Sequence, residues 1–154
     1  MRHLLLALLL WPSLLLANPC PLPLAEQAQL KRVIDGDTVQ LSDGRHLRII
    51  GIDTPELGRD GRADQPFARE AKAYVERLLP VGSRVGLAYD NERVDRHGRT
   101  LAHLLRSNGE PLAVALLQQG YARTLVIPPN SRQAACYAAL EAQARQQHRG
   151  IWQR

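Results

Sequence analysis

The chain reads as an α+β domain, on three observations. Its first half carries short β-compatible runs separated by turn signals at Asp35-Gly36-Asp37 and Ser42-Asp43-Gly44. From Pro66 to Leu79 the apolar period lengthens, and Phe67, Ala71, Tyr74, Val75 and Leu78 fall on one helical face. Two further helical segments close the chain, before and after a Pro-Pro loop. Periodicity alone leaves a small barrel and a sandwich both open.

In order, residues 18–26 (NPCPLPLAE) are proline-rich and expected as an extended leader. Gln29 to Ile34 is β-compatible, Thr38 to Leu41 alternates, and Arg45 to Ile52 forms a third strand, so a three-stranded meander is expected. Thr54-Pro55 stops that strand, because proline has no N–H for the ladder. Residues 57–65 (LGRDGRADQ) are polar and expected as a mobile loop. Pro66 suits a first helical turn, and Pro80-Val81-Gly82 ends the helix. Val85–Tyr89 and Arg99–Leu105 read as strands around a charged loop, Asp90–Gly98. Pro111–Gln119 is a short helix capped by Gly120, and Val126–Asn130 is a loop. Ser131 is an N-cap candidate for the last helix, whose apolar side carries Cys136, Leu140 and Ala144. Five strands with a helix after the third fit a five-stranded OB-type β-barrel with about three α-helices, a scaffold common among nucleic-acid binders.

Residues 1–17 combine a short basic start, an apolar run from Leu4 to Leu16 and the small residue Ala17, the pattern of a cleaved signal peptide. The run is shorter than the ~20 residues of a spanning helix. Export to the periplasm or the medium is therefore expected, with no stable membrane association afterwards. About 137 residues remain, enough for one domain with a core, expected over 27–154. The net charge of +5 is compatible with a polyanionic partner. In an oxidising compartment the two cysteines, Cys20 and Cys136, are expected to pair. That bond would close a loop of about 116 residues, for which chain entropy gives about 4–5 kcal/mol. A buried Cys136 with a loose Cys20 is the alternative.

Candidate chemistry gathers between Val33 and Glu56. Asp37 opens one strand, Arg48 lies within the next, and Asp53 and Glu56 follow its end. Hairpin-joined strands can bring these positions to one end of a sheet. Three carboxylates and a guanidinium there suit a hard cation, Mg²⁺ or Ca²⁺, beside a phosphate. Strict alternation would set Arg48 and Asp53 on opposite faces, so a shared site requires a break, for which Gly51 is the natural place. Asp53 with the Thr54 carbonyl could bind the cation while Glu56 handles water; the same residues could equally be a solvated strand end. Arg99 follows Gly98 at a strand start, where a fixed guanidinium can hold a phosphate. An EF-hand is excluded because Val39 and Gln40 stand where that loop needs an oxygen donor and glycine. His97 and His103 lack zinc-site spacing, and no phosphate loop or serine elbow is present.

The ordered set VIDGDTV, LRIIGIDTPE, RVDRHGRTLAHL, QQGYAR and a terminal GIW resembles the thermonuclease, or staphylococcal nuclease-like, family, from about Val33 to Trp152. The resemblance implies an OB-fold nuclease that uses Ca²⁺ to cleave DNA and RNA and leaves 3′-phosphates. It implies metal ligands at Asp37, Asp53 and the Thr54 main-chain carbonyl, phosphate-binding arginines at Arg48 and Arg99, and a water-activating or water-orienting carboxylate at Glu56. Arg96 and His97 stand where the family has a Lys-Tyr pair near the substrate, and Val126 and Pro128 stand for two tyrosines near the base. A monomer is expected. The alternative is an OB-type module that binds nucleic acid through phosphate contacts without cleaving it.

Overall fold

A computed structural model describes residues 17–153, so the expected signal peptide lies outside the described residues apart from Ala17. In chain order the elements are β1 (Glu26–Asp35), β2 (Thr38–Leu41), β3 (His46–Ile49), β4 (Gly51–Asp53), α1 (Ala68–Leu78), β5 (Arg84–Ala88), β6 (Thr100–Leu105), α2 (Leu112–Gln119), β7 (Arg123–Leu125) and α3 (Ala134–Gln146). A 3-10 turn, Gly150–Trp152, follows α3. Five strands close a barrel in the order β1-β2-β3-β6-β5, and β4 pairs with β7 as a separate two-stranded ribbon. The barrel is thus closed, as OB-type packing requires, and the sandwich is excluded. Among the described residues, no helix is long and apolar enough to cross a membrane.

Period-two alternation sets the barrel interior. Val39, Leu41, Leu47 and Ile49 are fully buried, so Thr38, Gln40, His46 and Arg48 share the opposite, outer face. The β3–β6 pairing is parallel, with Arg48 opposite Leu101, while the other barrel pairs are antiparallel. Helix α2 is apolar over Leu112–Leu117 and every one of those residues is buried, because α1, α3 and β6 surround it. It ends at Gly120 in the left-handed conformation, as expected.

Several boundaries differ from the sequence reading, each through a partner distant in the chain. Strand β1 starts at Glu26, not Gln29, because residues 26–29 pair with β5. Helix α1 starts at Ala68, since Phe67 takes a left-handed φ of 69°. The Phe67 ring meets Tyr121, centroids 6.4 Å apart. Ser131 does not cap α3. Its carbonyl accepts from Ala134 N in a tight turn, and Gln133 occupies the cap position. Strand β7 was not expected, because a three-residue strand shows no alternation. The proline-rich leader is pinned to the body: Cys20 is disulfide-bonded to Cys136, and Gln133 Nε2 donates to the Pro21 carbonyl at 3.0 Å.

The break expected at Gly51 is present. Gly51 has φ 85°, and a Cβ there would stand 2.7 Å from the Tyr137 ring of α3. Tyr137 Oη in turn lies 2.9 Å from His103 Nδ1 on β6. Gly51→Ala is therefore expected to lose at least about 2 kcal/mol, from both overpacking and left-handed strain, read as a shift in the denaturation midpoint.

Burial pushes the His103 imidazole down to about 4, with Asp90 opposing that shift and Arg132 adding to it. The unfolded chain takes up that proton near 6.5, so stability is lost as pH falls from about 6.5 to about 4. The loss attributable to this group is up to about 3 kcal/mol. Unfolding titrations of the native chain and His103→Gln should converge over this window; parallel profiles would refute the assignment.

Candidate active site

Where β1 ends, β2 begins and β3 gives way to β4, the barrel opens into a cleft of about 750 Å³ lined by Asp35, Asp37, Arg48, Asp53, Glu56 and Arg99. The sheet register builds its floor: Asp35 lies opposite Thr38, and Thr38 opposite Arg48. Three strands therefore present one row at the same level.

Asp37 joins the β1–β2 turn to the end of β4. Its Oδ2 accepts from Thr54 N at 2.9 Å and from Thr54 Oγ1 at 3.0 Å, and its Oδ1 accepts from Thr38 Oγ1. Gly36 permits that approach, since a Cβ there would fall 2.8 Å from Thr54 Oγ1.

Arg48 closes the arrangement. Its Nη1 donates to the carbonyls of Ile49 and Ile52 at 2.6 and 2.9 Å, which flank the Gly51 break. Its Nη2 lies 3.2 Å from Asp53 Oδ1 and 3.3 Å from Asp37 Oδ2. One guanidinium thus bridges the two carboxylates that alternation alone would separate. Burial and the Asp37 charge raise the Asp53 carboxyl above its ordinary range, against the pull of Arg48. Burial and the same Asp37 charge push Asp35 up to about 6.

Glu56 is exposed, and its carboxylate has no hydrogen-bond partner among the described residues. Its backbone is held on both sides by Gln65: Glu56 N donates to Gln65 Oε1 and Gln65 N to the Glu56 carbonyl, each 2.9 Å. The 57–65 loop, expected to be mobile, is tied at this neck and again by Gly58 N to Asp64 Oδ1 at 2.8 Å.

Arg99 enters from the start of β6, the strand next to β3. Asp95 accepts its Nε at 2.7 Å and, through Oδ1, the backbone N–H groups of His97 and Arg99. Arg96 and His97 do not line the main cleft. They line a second groove of about 450 Å³ on the other side of Arg99, with Leu125 and Ile127. Those two aliphatics, not Val126 and Pro128, line that groove, whereas Arg123 at the start of β7 lines a neighbouring pocket with Asp53 and Phe67. The Asp95 clamp, the Thr54 hydroxyl and the Gln65 neck were not anticipated. Only the i, i+4 spacing of Asp95 and Arg99 could have signalled one of them.

Among the described residues, no three His, Cys, Asp or Glu side chains converge closely enough to hold a cation unaided. The donor set nevertheless fits a hard cation. Asp37 and Asp53 meet at one guanidinium, Asp35 and Glu56 share their cleft, and the donors are oxygens, with charge that a cation would offset. The set does not suit a soft metal, since the protein's two cysteines are bonded to each other.

Burial raises the Asp95 carboxyl, but the hydrogen bonds from Arg99 and His97 outweigh it and hold the group below its ordinary value. The clamp is therefore intact above the ordinary carboxylate range near 3.9 and is lost as pH falls through the lowered value. The Arg99 Nε–H resonance should titrate with Asp95 in that acid range. Asp95→Ala should shift the resonance at neutral pH to that of a free guanidinium.

Residues 46–154 match the family described as staphylococcal nuclease homologue. A thermonuclease of Staphylococcus intermedius is 36% identical over 132 residues, which cover 84% of this chain and 77% of that protein. A thermonuclease of Staphylococcus hyicus is also 36% identical, over 79% of this chain and 72% of that protein. Endonuclease YhcR of Bacillus subtilis is 29% identical over 91% of this chain, but over 13% of its own length. With a closed five-stranded barrel, three α-helices and this extent of similarity, the chain belongs to the staphylococcal nuclease family.

Proposed function

We propose that the protein is an exported, Ca²⁺-dependent endonuclease that hydrolyses phosphodiesters of DNA and RNA with little sugar specificity and leaves 3′-phosphates. That it is a phosphodiester-hydrolysing nuclease follows from its family. The observation that supports the finer reading is the convergence of Asp37, Arg48, Asp53, Glu56 and Arg99 on one cleft, from four separate segments of chain. A module that only bound nucleic acid would need the arginines but not an unpaired carboxylate beside two others.

Each residue then has a physical role. Asp37, Asp53 and the Thr54 main-chain carbonyl would hold the Ca²⁺, which supplies positive charge against the phosphate oxygens. Glu56, with no competing partner, orients a water and accepts its proton. The water oxygen bonds to phosphorus as the bond from phosphorus to the 5′-oxygen breaks, and the departing oxygen takes a proton from solvent. Arg99, aimed by Asp95, and Arg48, aimed by two backbone carbonyls, neutralise the charge that grows on the five-coordinate phosphorus. Both are held before substrate arrives, so little reorganisation is needed during the reaction.

Cleavage of supercoiled plasmid and single-stranded DNA by the mature protein tests this reading. Excess chelator should abolish cleavage and Ca²⁺ should restore it. Glu56→Gln should lower kcat by about 10²–10⁴-fold, and Arg99→Gln by about 10²–10³-fold. Tight, salt-sensitive binding with no cleavage under any divalent cation would overturn the proposal in favour of a binding module.

A further inference from the structure

The cleft extends well beyond the residues just assigned roles. One limb runs between the outer face of β1–β2–β3 and the 57–65 loop, and it is lined by Arg32 and His46 on the barrel side and Arg59 and Arg62 on the loop side. The register explains how the barrel wall arises. Arg32 pairs with Gln40, and Gln40 with His46, so these residues form one row across three strands. The row Asp35–Thr38–Arg48 lies next to it, two residues further along each of β2 and β3 and on the same outer face. A two-residue step in a strand is about 6.6–6.8 Å. That step is comparable with the distance between successive phosphates of an extended nucleic-acid strand.

Two of the three arginines of this limb are not neutralised within the protein. Among the described residues, Arg32 and Arg62 form no ion pair with a carboxylate. Arg32 Nε donates to the neutral Gln40 Oε1 at 2.8 Å, which fixes the guanidinium plane along the row without neutralising it. Arg62 Nε reaches only the Arg59 carbonyl, at 3.4 Å. By contrast the arginines nearest the carboxylates are paired: Arg48 with Asp37 and Asp53, Arg59 with Asp35, and Arg99 with Asp95. Between the unpaired cations lie Ile34 and Leu57, both half-buried and lining the same cleft. Cations that track a backbone, interleaved with apolar surface for sugars and bases, are what a single-stranded polynucleotide requires of a groove. A volume of about 750 Å³ also suits a few nucleotides of one strand better than a duplex.

We propose that the limb between Arg32/His46 and Arg59/Arg62 is a polynucleotide subsite that binds the phosphates next to the scissile one on a single strand. The proposal rests on the nuclease reading above and adds to it the path of the strand. It makes Arg32 and Arg62 positioning residues that act on the length of substrate the enzyme prefers.

The test compares two substrates, a single-stranded oligonucleotide and a nucleoside aryl phosphodiester with one phosphate, for the native enzyme and for R32Q, R62Q and R32Q/R62Q. All the substituted side chains are exposed, so unfolding transitions should overlay. The ratio of kcat/KM for the oligonucleotide to that for the small substrate should fall about tenfold in the double variant, through KM. The log–log salt dependence of oligonucleotide kcat/KM should become shallower by about 1.4, since each phosphate contact on a single strand contributes about 0.7. Parallel losses on both substrates, or an unchanged ratio and salt slope, would overturn the subsite. A native enzyme that cleaves neither substrate would instead sink the nuclease reading on which it rests.

Discussion

The Arg48 guanidinium is the interaction on which the site depends. The carbonyls of Ile49 and Ile52 flank the break at Gly51, and a buried carbonyl left unpaired costs about 1–3 kcal/mol. Arg48 Nη1 satisfies both, while Nη2 bridges Asp37 and Asp53. The same side chain therefore stabilises the backbone irregularity and holds together the two carboxylates that the irregularity makes neighbours. Its charge is partly offset by the acidic residues and its aim is set by the backbone, so fold and site share one group.

The break itself is imposed from behind by the helical layer. Tyr137 on α3 occupies the space where any other residue at position 51 would put a Cβ, and His103 on β6 holds the Tyr137 hydroxyl. Helix α3 is anchored in turn by the Cys20–Cys136 bond and by Gln133 on the Pro21 carbonyl. A chain of contacts thus runs from the N-terminal segment through α3 to the strand that delivers Asp53 and Thr54. Behind the strand the residues that keep the site in shape, Tyr137 and His103, are neutral and buried, whereas those that would do chemistry are charged and run from the buried Asp37 to the exposed Asp53 and Glu56.

The cleft also separates two kinds of arginine. Arg48 and Arg99 are held by carboxylates and carbonyls, at the cost of part of their charge, and gain fixed direction. Arg32 and Arg62 keep their charge, Arg32 being set only by the neutral Gln40 and Arg62 only by the Arg59 carbonyl. Fixed donors suit a transition state whose charge develops at one point. Cations left without a carboxylate partner suit a polyanion. On the barrel wall the division follows the register of β1–β3, with Arg32 in one row and Arg48 in the next.

The sequence by itself determined the elements whose evidence is local. The β1–β3 meander follows from alternation and two Asp-Gly turns, α1 from its 3.6-residue period, the end of α2 from Gly120, and the break from the single glycine between Arg48 and Asp53. Asp37, Asp53, Glu56 and Arg99 were legible because they sit at strand ends or turn boundaries, and Arg48 because it is a charged residue inside an apolar strand; all five line one cleft. What the tertiary structure decided is whatever needs a partner far along the chain. The early start of β1 depends on β5, β7 exists only because β4 is there to pair with it, and Gln133 takes the cap position of α3 in place of Ser131, its side chain turned to the Pro21 carbonyl. The same holds for the Asp95 clamp, for Leu125 and Ile127 in place of Val126 and Pro128 in the second groove, and for the row that sets Arg32 beside His46. A pattern in one segment reports which face will be buried, but not which other segment will bury it, and contacts between distant segments are where this protein's cleft is made.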